Sequence, residues 1–176
     1  SACTPPRHML VREGATLDIR NIKPENGKAA LVVARTTIFG GAIEFDTYLD
    51  KKMIGVTQRK GFFVKSDVMP GTRYVISRAE NMEPIKIIFE QDRVYYLQQI
   101  PRMGVWKARV SVAPLTPEEL MTTMDADCKL MEYNPNDPGD ELSDEEYNEA
   151  VRDYERELKE GKHLDHVNYK GVQAGK

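Results

Sequence analysis

The chain has 176 residues, enough for one domain with extensions, and 40% of them are hydrophobic, which suffices for one core. The formal net charge of −3 hides an asymmetry, because residues 1–116 carry 18 Lys and Arg against 11 Asp and Glu, whereas residues 117–161 carry 4 against 16. The acidic segment argues against nucleic-acid binding through the C-terminal part, and no apolar run reaches the roughly 18 residues of a membrane-spanning helix.

Residues 1–27 are predicted to form a tether, because they contain several Pro and Gly turns, with at most one short strand at the apolar alternation of Leu17 and Ile19. Cys3 follows two small residues and precedes Thr4, which resembles the end of a bacterial lipoprotein signal sequence, where the cysteine thiol is lipidated. Thr4 is typical of outer-membrane sorting, so this interpretation predicts a lipid anchor at the periplasmic face of the outer membrane. The alternative is an ordinary cysteine in a flexible tail.

Residues 28–124 are predicted to form an antiparallel β-sandwich, so the fold class is mainly β. The segment 29–36 is a nearly continuous apolar run, which indicates a strand buried on both faces. Segment 43–49 alternates apolar and polar residues before a polar reversal at 50–52. Further strand patterns recur at 8–12-residue spacing, at 53–56, 61–64, 73–78, 85–89, 94–100 and 105–112.

Several short segments in this part, taken in order, resemble DUF2846, a domain of unknown function common in bacterial envelope lipoproteins. The segments are GKAALVV (27–33), IEFDTYLD (43–50), GFF (61–63), MPG (69–71), RYVIS (73–77), VYYLQ (94–98) and MGVW (103–106). The resemblance covers roughly residues 27–120. It implies a β-sandwich similar to carboxypeptidase regulatory-type and PEGA domains, and it carries over no catalytic residue.

The C-terminal part is predicted to be a helical extension. Thr116 to Glu119 forms a capping box with Pro at the first helical position, residues 125–141 are predicted to be a linker, and residues 142–176 an acidic helix and tail. A second capping box starts at Ser143, and the helix is expected to end at Gly161. Its apolar stripe is narrow, and the residues predicted to bind a partner in trans are Tyr147, Val151, Tyr154 and Leu158. The alternative is that the helix packs in cis on the sandwich.

Candidate chemical sites are weak in this sequence. His163 and His166 with Asp165 have metal-ligand spacing, but a solvated histidine pair is the favoured interpretation, and no metal or cofactor is predicted. Trp106 is predicted to face the core, because it alternates in phase with Val110 and Val112. No nucleophile lies beside a base in the sequence, so no catalytic residue is predicted.

The sequence therefore predicts a non-enzymatic outer-membrane lipoprotein that acts as a structural or interaction subunit of a cell-envelope assembly of the secretion-system or motor-ring type. Its expected partners are other envelope proteins, including copies of itself in a ring, and the membrane through the lipid anchor; nucleic acid is not expected. The alternative function is a periplasmic ligand-binding or hydrolytic domain with a tyrosine-lined cleft.

Overall fold

Within residues 4–12 and 17–175, which the computed structural model describes, the chain forms eleven strands, three α-helices and one short 3-10 helix (Ile19–Asn21). The strands are β1 (Met9–Val11), β2 (Ala29–Arg35), β3 (Phe45–Leu49), β4 (Lys52–Thr57), β5 (Gly61–Val68), β6 (Gly71–Arg78), β7 (Met82–Phe89), β8 (Arg93–Met103), β9 (Ala108–Leu115), β10 (Lys129–Tyr133) and β11 (Val172–Gln173). The helices are α1 (Pro117–Thr123), α2 (Asp144–Lys159) and α3 (Leu164–Val167).

The strands form two sheets that pack face to face, so the prediction of a mainly β sandwich with a C-terminal helix is confirmed. The large sheet has the order β1-β10-β5-β2-β8-β11, with β9 also paired to β8. The small sheet has the order β4-β3-β6-β7. Most pairings are antiparallel, as expected, but β2 pairs with β8 and β5 pairs with β10 in parallel.

Strand β2 lies at the centre of the large sheet and all seven of its residues are buried, as predicted for this apolar run. Its side chains alternate between two cores because successive residues of a strand point to opposite faces. Leu31 and Val33 belong to the core between the sheets, whereas Ala30 and Val32 belong to a second core on the outer face. Leu120 of α1 is part of that second core, so α1 covers the large sheet from outside.

The predicted linker, residues 125–141, differs from the structure. It contains β10, which pairs with both β5 and β1 and buries Met131. Gly139 lies so close to the Met53 side chain that an added Cβ would be 2.0 Å from the sulfur. The segment is part of the fold because β10 pairs with the edge of β5 and Gly139 packs against Met53 of the small sheet. The prolines of the segment lie outside β10 and do not interrupt this pairing.

The predicted tether, residues 1–27, is also more integrated than expected. Met9 of β1 is buried between the sheets, and Ile19 and Ile22 belong to the outer core beside α1. The strand in this segment is β1, at Met9–Val11, which is an edge strand of the large sheet. The prediction of a strand at Leu17 and Ile19 is wrong, because a short 3-10 helix (Ile19–Asn21) forms there instead. These contacts are long-range in sequence, so local composition did not reveal them.

The helix ends agree with the sequence patterns. Thr116 with Glu119, and Ser143 with Glu146, form reciprocal capping boxes at the starts of α1 and α2. Helix α2 ends at Lys159, and Gly161 follows with a φ of +79°, which favours glycine. None of the helices in the described residues is both long enough and apolar enough to cross a membrane.

Candidate interaction surfaces

Helix α2 packs in cis against the small sheet, and Tyr154 fixes it there. Only 2% of Tyr154 is exposed. Its hydroxyl accepts a hydrogen bond from the backbone N–H of Lys86 in β7 at 3.2 Å and lies 2.9 Å from Nδ1 of His166. Burial raises the pKa of Tyr154 to about 12.

The four residues predicted to bind a partner in trans therefore do not form a free stripe. Tyr154 is buried, and Tyr147, Val151 and Leu158 are half-buried. The ring of Tyr147 meets Tyr74 of β6 edge-on at a centroid distance of 6.2 Å. The prediction of docking in trans is wrong for this surface, because the chain after Tyr133 stays attached to the sandwich: Leu142 is buried and donates its N–H to the carbonyl of Lys51.

The two C-terminal histidines are not a solvated pair, which corrects a further prediction. The rings of His163 and His166 stack at a centroid distance of 4.8 Å, and both lie beside Tyr154. Nε2 of His163 is 2.5 Å from a carboxylate oxygen of Glu157. The turn at Gly161 reverses the chain, so α3 folds back and buries His166, which lowers the pKa of that imidazole. In residues 4–12 and 17–175, no three His, Cys, Asp or Glu side chains come together as a metal-binding group.

The side of the sandwich between β7 and β9 is closed by side chains of the same molecule. The backbone N–H of Lys86, on the outer edge of β7, donates to the hydroxyl of Tyr154. On the edge of β9, Asn81 donates to the carbonyl of Val110 at 2.9 Å and accepts from its N–H at 2.8 Å. Edge groups that are already hydrogen-bonded in cis are not free to pair with a strand of another chain, so these contacts reduce the β-edge that this side offers for docking.

The opposite side, between β4 and β1, is closed in a similar way. Lys52 of β4 forms a β-bridge with Glu141, and the N–H of Val56 donates to the sulfur of Met9 at 3.2 Å. These contacts come from the two segments predicted to be tether and linker. Both segments therefore protect the edge of the small sheet.

One end of the sandwich, in contrast, exposes a set of large apolar side chains. We call this set the apolar end; it consists of Ile38, Phe39, Met103, Val105 and Trp106. Trp106 is 92% exposed and Val105 87%, the two highest values among the large hydrophobic residues. Large apolar side chains exposed together in this way mark interaction sites in soluble domains.

The topology explains why two distant segments meet at this end. Strands β2 and β8 run in parallel, with Ala34 opposite Gln98, so the loop after β2 and the tip after β8 leave the sheet in the same direction. Gly40 in the first loop lies against Pro101 of β8. The N–H of Gly104 donates to the carbonyl of Lys107 at 2.9 Å, which closes the β8–β9 turn.

The prediction that Trp106 packs in the core is therefore wrong. Its alternation with Val110 and Val112 continues the pattern of β9, and these two valines are indeed buried. The strand, however, starts only at Ala108, and Trp106 lies in the turn that projects beyond the sheet. Tyr95 and Tyr96 are buried in the two cores, so they do not line an open cleft with Trp106.

A buried arginine holds the loop that carries Ile38 and Phe39. Arg35, the last residue of β2, is 0% exposed, and its guanidinium donates to the carbonyls of Phe39 at 3.1 Å, Gly40 at 2.7 Å, and Ile43. It also lies over the ring of Phe45 at 4.2 Å. Burial lowers the pKa of the guanidinium to about 10. Three hydrogen bonds from one planar guanidinium to backbone carbonyls hold the loop in this conformation.

Basic residues surround the apolar end. We call Arg59, Arg102, Lys107 and Arg109, all exposed, the basic collar. Three of them flank Trp106 on the β8–β9 hairpin, and Arg59 lies against Gly41 in the loop after β2. The chain contains no Asp or Glu between Asp92 and Glu118. The hairpin is therefore uniformly positive, although the protein as a whole has a net charge of −3.

The N-terminal segment joins the fold beside this end. The N–H of Arg7 donates to Glu44 at 3.1 Å and its guanidinium donates to the same carboxylate at 2.6 Å. Glu44 is the residue that precedes β3, directly after the loop of Ile38 and Phe39. The predicted lipidation residue, Cys3, lies outside the described residues.

A smaller exposed apolar set lies near α3 and consists of Ile88, Leu164 and Val167. Ile88 and Val167 line a shallow groove together with Lys86, Glu155 and Lys159. Lys86 and Glu155 form an ion pair at 2.6 Å. The charges around this groove are therefore mixed and largely paired, unlike those of the basic collar.

The comparisons with known proteins find one relative. An uncharacterized protein of Haemophilus influenzae is 26% identical to this chain over 121 residues, which are 68% of this chain and 70% of that protein. No family model matches the chain, and no solved structure matches it. The resemblance to DUF2846 accordingly stays a prediction.

Proposed function

We propose that the protein is a non-enzymatic interaction module of the bacterial cell envelope, anchored through a lipid on Cys3 at the periplasmic face of the outer membrane. The observation that carries the proposal is the apolar end, which leaves Trp106 and Val105 almost fully in water. Such exposure is unfavourable for an isolated domain, because each large apolar side chain gains about 1.5–3 kcal/mol when it leaves water. A binding partner at this end would supply that gain.

The rest of the surface supports the choice of this end. A sandwich can bind another chain through a free strand edge, but contacts in cis at Lys86, Val110 and Val56 occupy edge groups on both open sides. Helix α2 uses its apolar stripe on its own sheet. The contacts with other envelope proteins or further copies in a ring, which the sequence predicts, therefore involve the apolar end or the outward acidic face of α2.

The position of the N-terminal segment fits the anchor. Arg7 binds Glu44 at the loop that presents Ile38 and Phe39, so an anchor upstream of Arg7 would tether the molecule near its apolar end. The anchor and the exposed end would then act on neighbouring parts of the envelope.

Two measurements in the natural host test the proposal. Cys3→Ser is expected to release the protein into the soluble periplasmic fraction after a high-salt wash, which weakens electrostatic binding to membranes and leaves a lipid anchor in place. A photo-crosslinking residue at Val105 is expected to form adducts with an envelope component, whereas the same probe at Leu164, which is exposed on α3, is the matched control and is expected to form none. Unchanged fractionation of the Cys3 variant, with no adduct at Val105, would contradict the proposal.

A further inference from the structure

We infer that the apolar end inserts into the surface of an anionic phospholipid membrane, with the basic collar in contact with the headgroups. This inference rests on the proposed function, because it takes the apolar end as the contact surface and names its partner. It is carried by side-chain chemistry, by the shape of the end, and by the charge around it.

The side chains are those that favour the boundary between lipid and water. Trp106 combines a large apolar ring with one N–H donor, an amphipathic structure that favours the headgroup level of a bilayer. Val105, Met103 and Phe39 are apolar without a polar group and suit the acyl-chain boundary. Lys107 and Arg109 follow Trp106 directly in sequence, so their long side chains can reach the phosphates while their stems stay in apolar surroundings.

The shape of the end suits a membrane better than a protein partner. Side chains exposed to 87% and 92% project from the surface, so little flat protein surface surrounds them. A protein interface normally surrounds its central residues with packed rim contacts. A fluid lipid surface needs no such complementary rim, and it admits both the hairpin tip and the loop of Phe39 together.

The loop and the hairpin are also held in place before binding. Arg35 fixes the loop through its bonds to the carbonyls of Phe39, Gly40 and Ile43. The Gly104–Lys107 hydrogen bond closes the hairpin. Preorganisation lowers the entropy cost of binding, so the end can bind without refolding.

The charge selects anionic lipid. The four cations of the basic collar outnumber the acidic residues beside this end. These include Glu80, whose N–H donates to the carbonyl of Ala108, and Asp127, which lies near Ile38. Asp127 is paired with Lys60, so the end has a net positive charge. An anionic bilayer attracts such a group of Lys and Arg. The acidic α2 would be repelled by the same surface, so the molecule would bind with α2 turned away.

The test uses the full chain with Cys3→Ser, so that no lipid anchor contributes. Trp106 is the only tryptophan of the protein, and its emission therefore reports directly on the proposed insertion. Vesicles of phosphatidylcholine with phosphatidylglycerol are expected to shift the emission to the blue, and phospholipids with brominated acyl chains are expected to quench it. Vesicles of phosphatidylcholine alone, or ~1 M NaCl, where the Debye length is about 3 Å, are expected to weaken binding strongly.

Three variants sharpen the test. Val105→Ser is expected to weaken vesicle binding about tenfold, and Arg109→Gln about fivefold. Leu164→Ser removes an equally exposed apolar residue from another part of the surface and is expected to leave binding unchanged. Circular dichroism verifies that each variant folds.

The outcomes separate this inference from the proposed function. An emission of Trp106 that does not change at saturating anionic vesicles would overturn the inference. If the probe at Val105 then crosslinks to a protein in the envelope, the partner is a protein and the proposed function stands. If it crosslinks to nothing and the Cys3 variant fractionates unchanged, the proposed function fails as well.

Discussion

Aromatic side chains are buried on the C-terminal side of this protein and exposed at its apolar end. On the C-terminal side, Tyr154 and His166 are buried against the small sheet, and the acidic residues in the first half of α2, Asp144 to Glu149, are exposed. At the apolar end, Trp106 and Phe39 are exposed and basic residues surround them. The first arrangement completes the fold, whereas the second leaves an apolar surface for something outside it.

The difference shows that an apolar stripe does not by itself identify a docking surface. The stripe on α2 has helical spacing, but it covers the edge group of β7 at Lys86. The residues of the apolar end have no helical spacing and come from two loops far apart in sequence. What distinguishes the two regions is whether the chain itself provides a covering element.

The largest expected effect concerns the covered side. Tyr154→Ala is predicted to lower the free energy of unfolding by about 3–5 kcal/mol, because it removes a buried aromatic ring and leaves a cavity. Urea unfolding of the isolated monomer measures this, with Glu149→Ala on the exposed face of α2 as the control. An unchanged unfolding midpoint for Tyr154→Ala would show that the ring is not packed on the small sheet. It would contradict the distinction between a covered C-terminal side and an exposed apolar end.

The next effect concerns the loop of the apolar end. Arg35→Met is predicted to lower the free energy of unfolding by about 1–3 kcal/mol, because the partly buried loop carbonyls that the buried Arg35 binds would lose their donor. Arg59→Met, at the same end but exposed, is the control and is predicted to change stability by less than about 0.5 kcal/mol. Chymotrypsin is expected to cleave Arg35→Met faster after Phe39. Equal cleavage and equal stability of the two variants would contradict this role of Arg35.

A smaller, pH-dependent effect is expected from His166. Burial is the main cause that lowers its pKa below the ordinary value of about 6.5, and the ring of His163 lowers it further, whereas Asp165 and the carbonyl of Val112 oppose the shift. The folded protein then binds fewer protons at this site than the unfolded chain. Stability is therefore predicted to fall as the pH drops from about 6.5 towards the folded pKa.

Urea unfolding at several pH values between neutral and mildly acidic checks this dependence. His166→Gln should remove it, whereas His8→Gln, which changes an imidazole bonded to Asp137 elsewhere in the molecule, should retain it. The window needs to stay above the range in which Glu83 titrates, because burial raises the pKa of that carboxyl and its protonation would stabilise the fold with the opposite sign. An identical pH dependence in the wild type and His166→Gln would contradict the prediction.

The smallest effect on stability is expected at the apolar end itself. Val105→Ser is predicted to change the free energy of unfolding by less than about 0.5 kcal/mol, because the side chain makes few contacts. Val110→Ser, on the same hairpin but buried, is the matched comparison and is predicted to cost about 2–4 kcal/mol. Similar losses for the two variants would mean that Val105 is part of the core.

Much of the fold could be predicted from local patterns. The apolar run of β2, the polar reversal after Leu49 and the two capping boxes each depend on neighbouring residues, and the structure has all of them. The parallel pairing of β2 with β8 and the insertion of β10 beside β5 depend on contacts across more than 60 residues. Strand patterns alone do not specify which strands pair.

The candidate site was less predictable for the same reason. Trp106 continues the alternation of β9, so only the position of the turn at Gly104 decides that it is exposed. His166 looked solvated because Gly161 ends α2, and the sequence did not show that α3 returns to the sheet. An available signal was the absence of acidic residues between Asp92 and Glu118, which sets the hairpin apart from the rest of a charged chain.

The fluorescence of Trp106 in the folded protein, without vesicles, measures the exposure of the apolar end. We expect an emission maximum typical of tryptophan in water, full accessibility to acrylamide, and almost no spectral shift on unfolding in urea, because the side chain is 92% exposed before unfolding. A blue emission that is protected from acrylamide and moves to the red on unfolding would place Trp106 in the core and would contradict the apolar end.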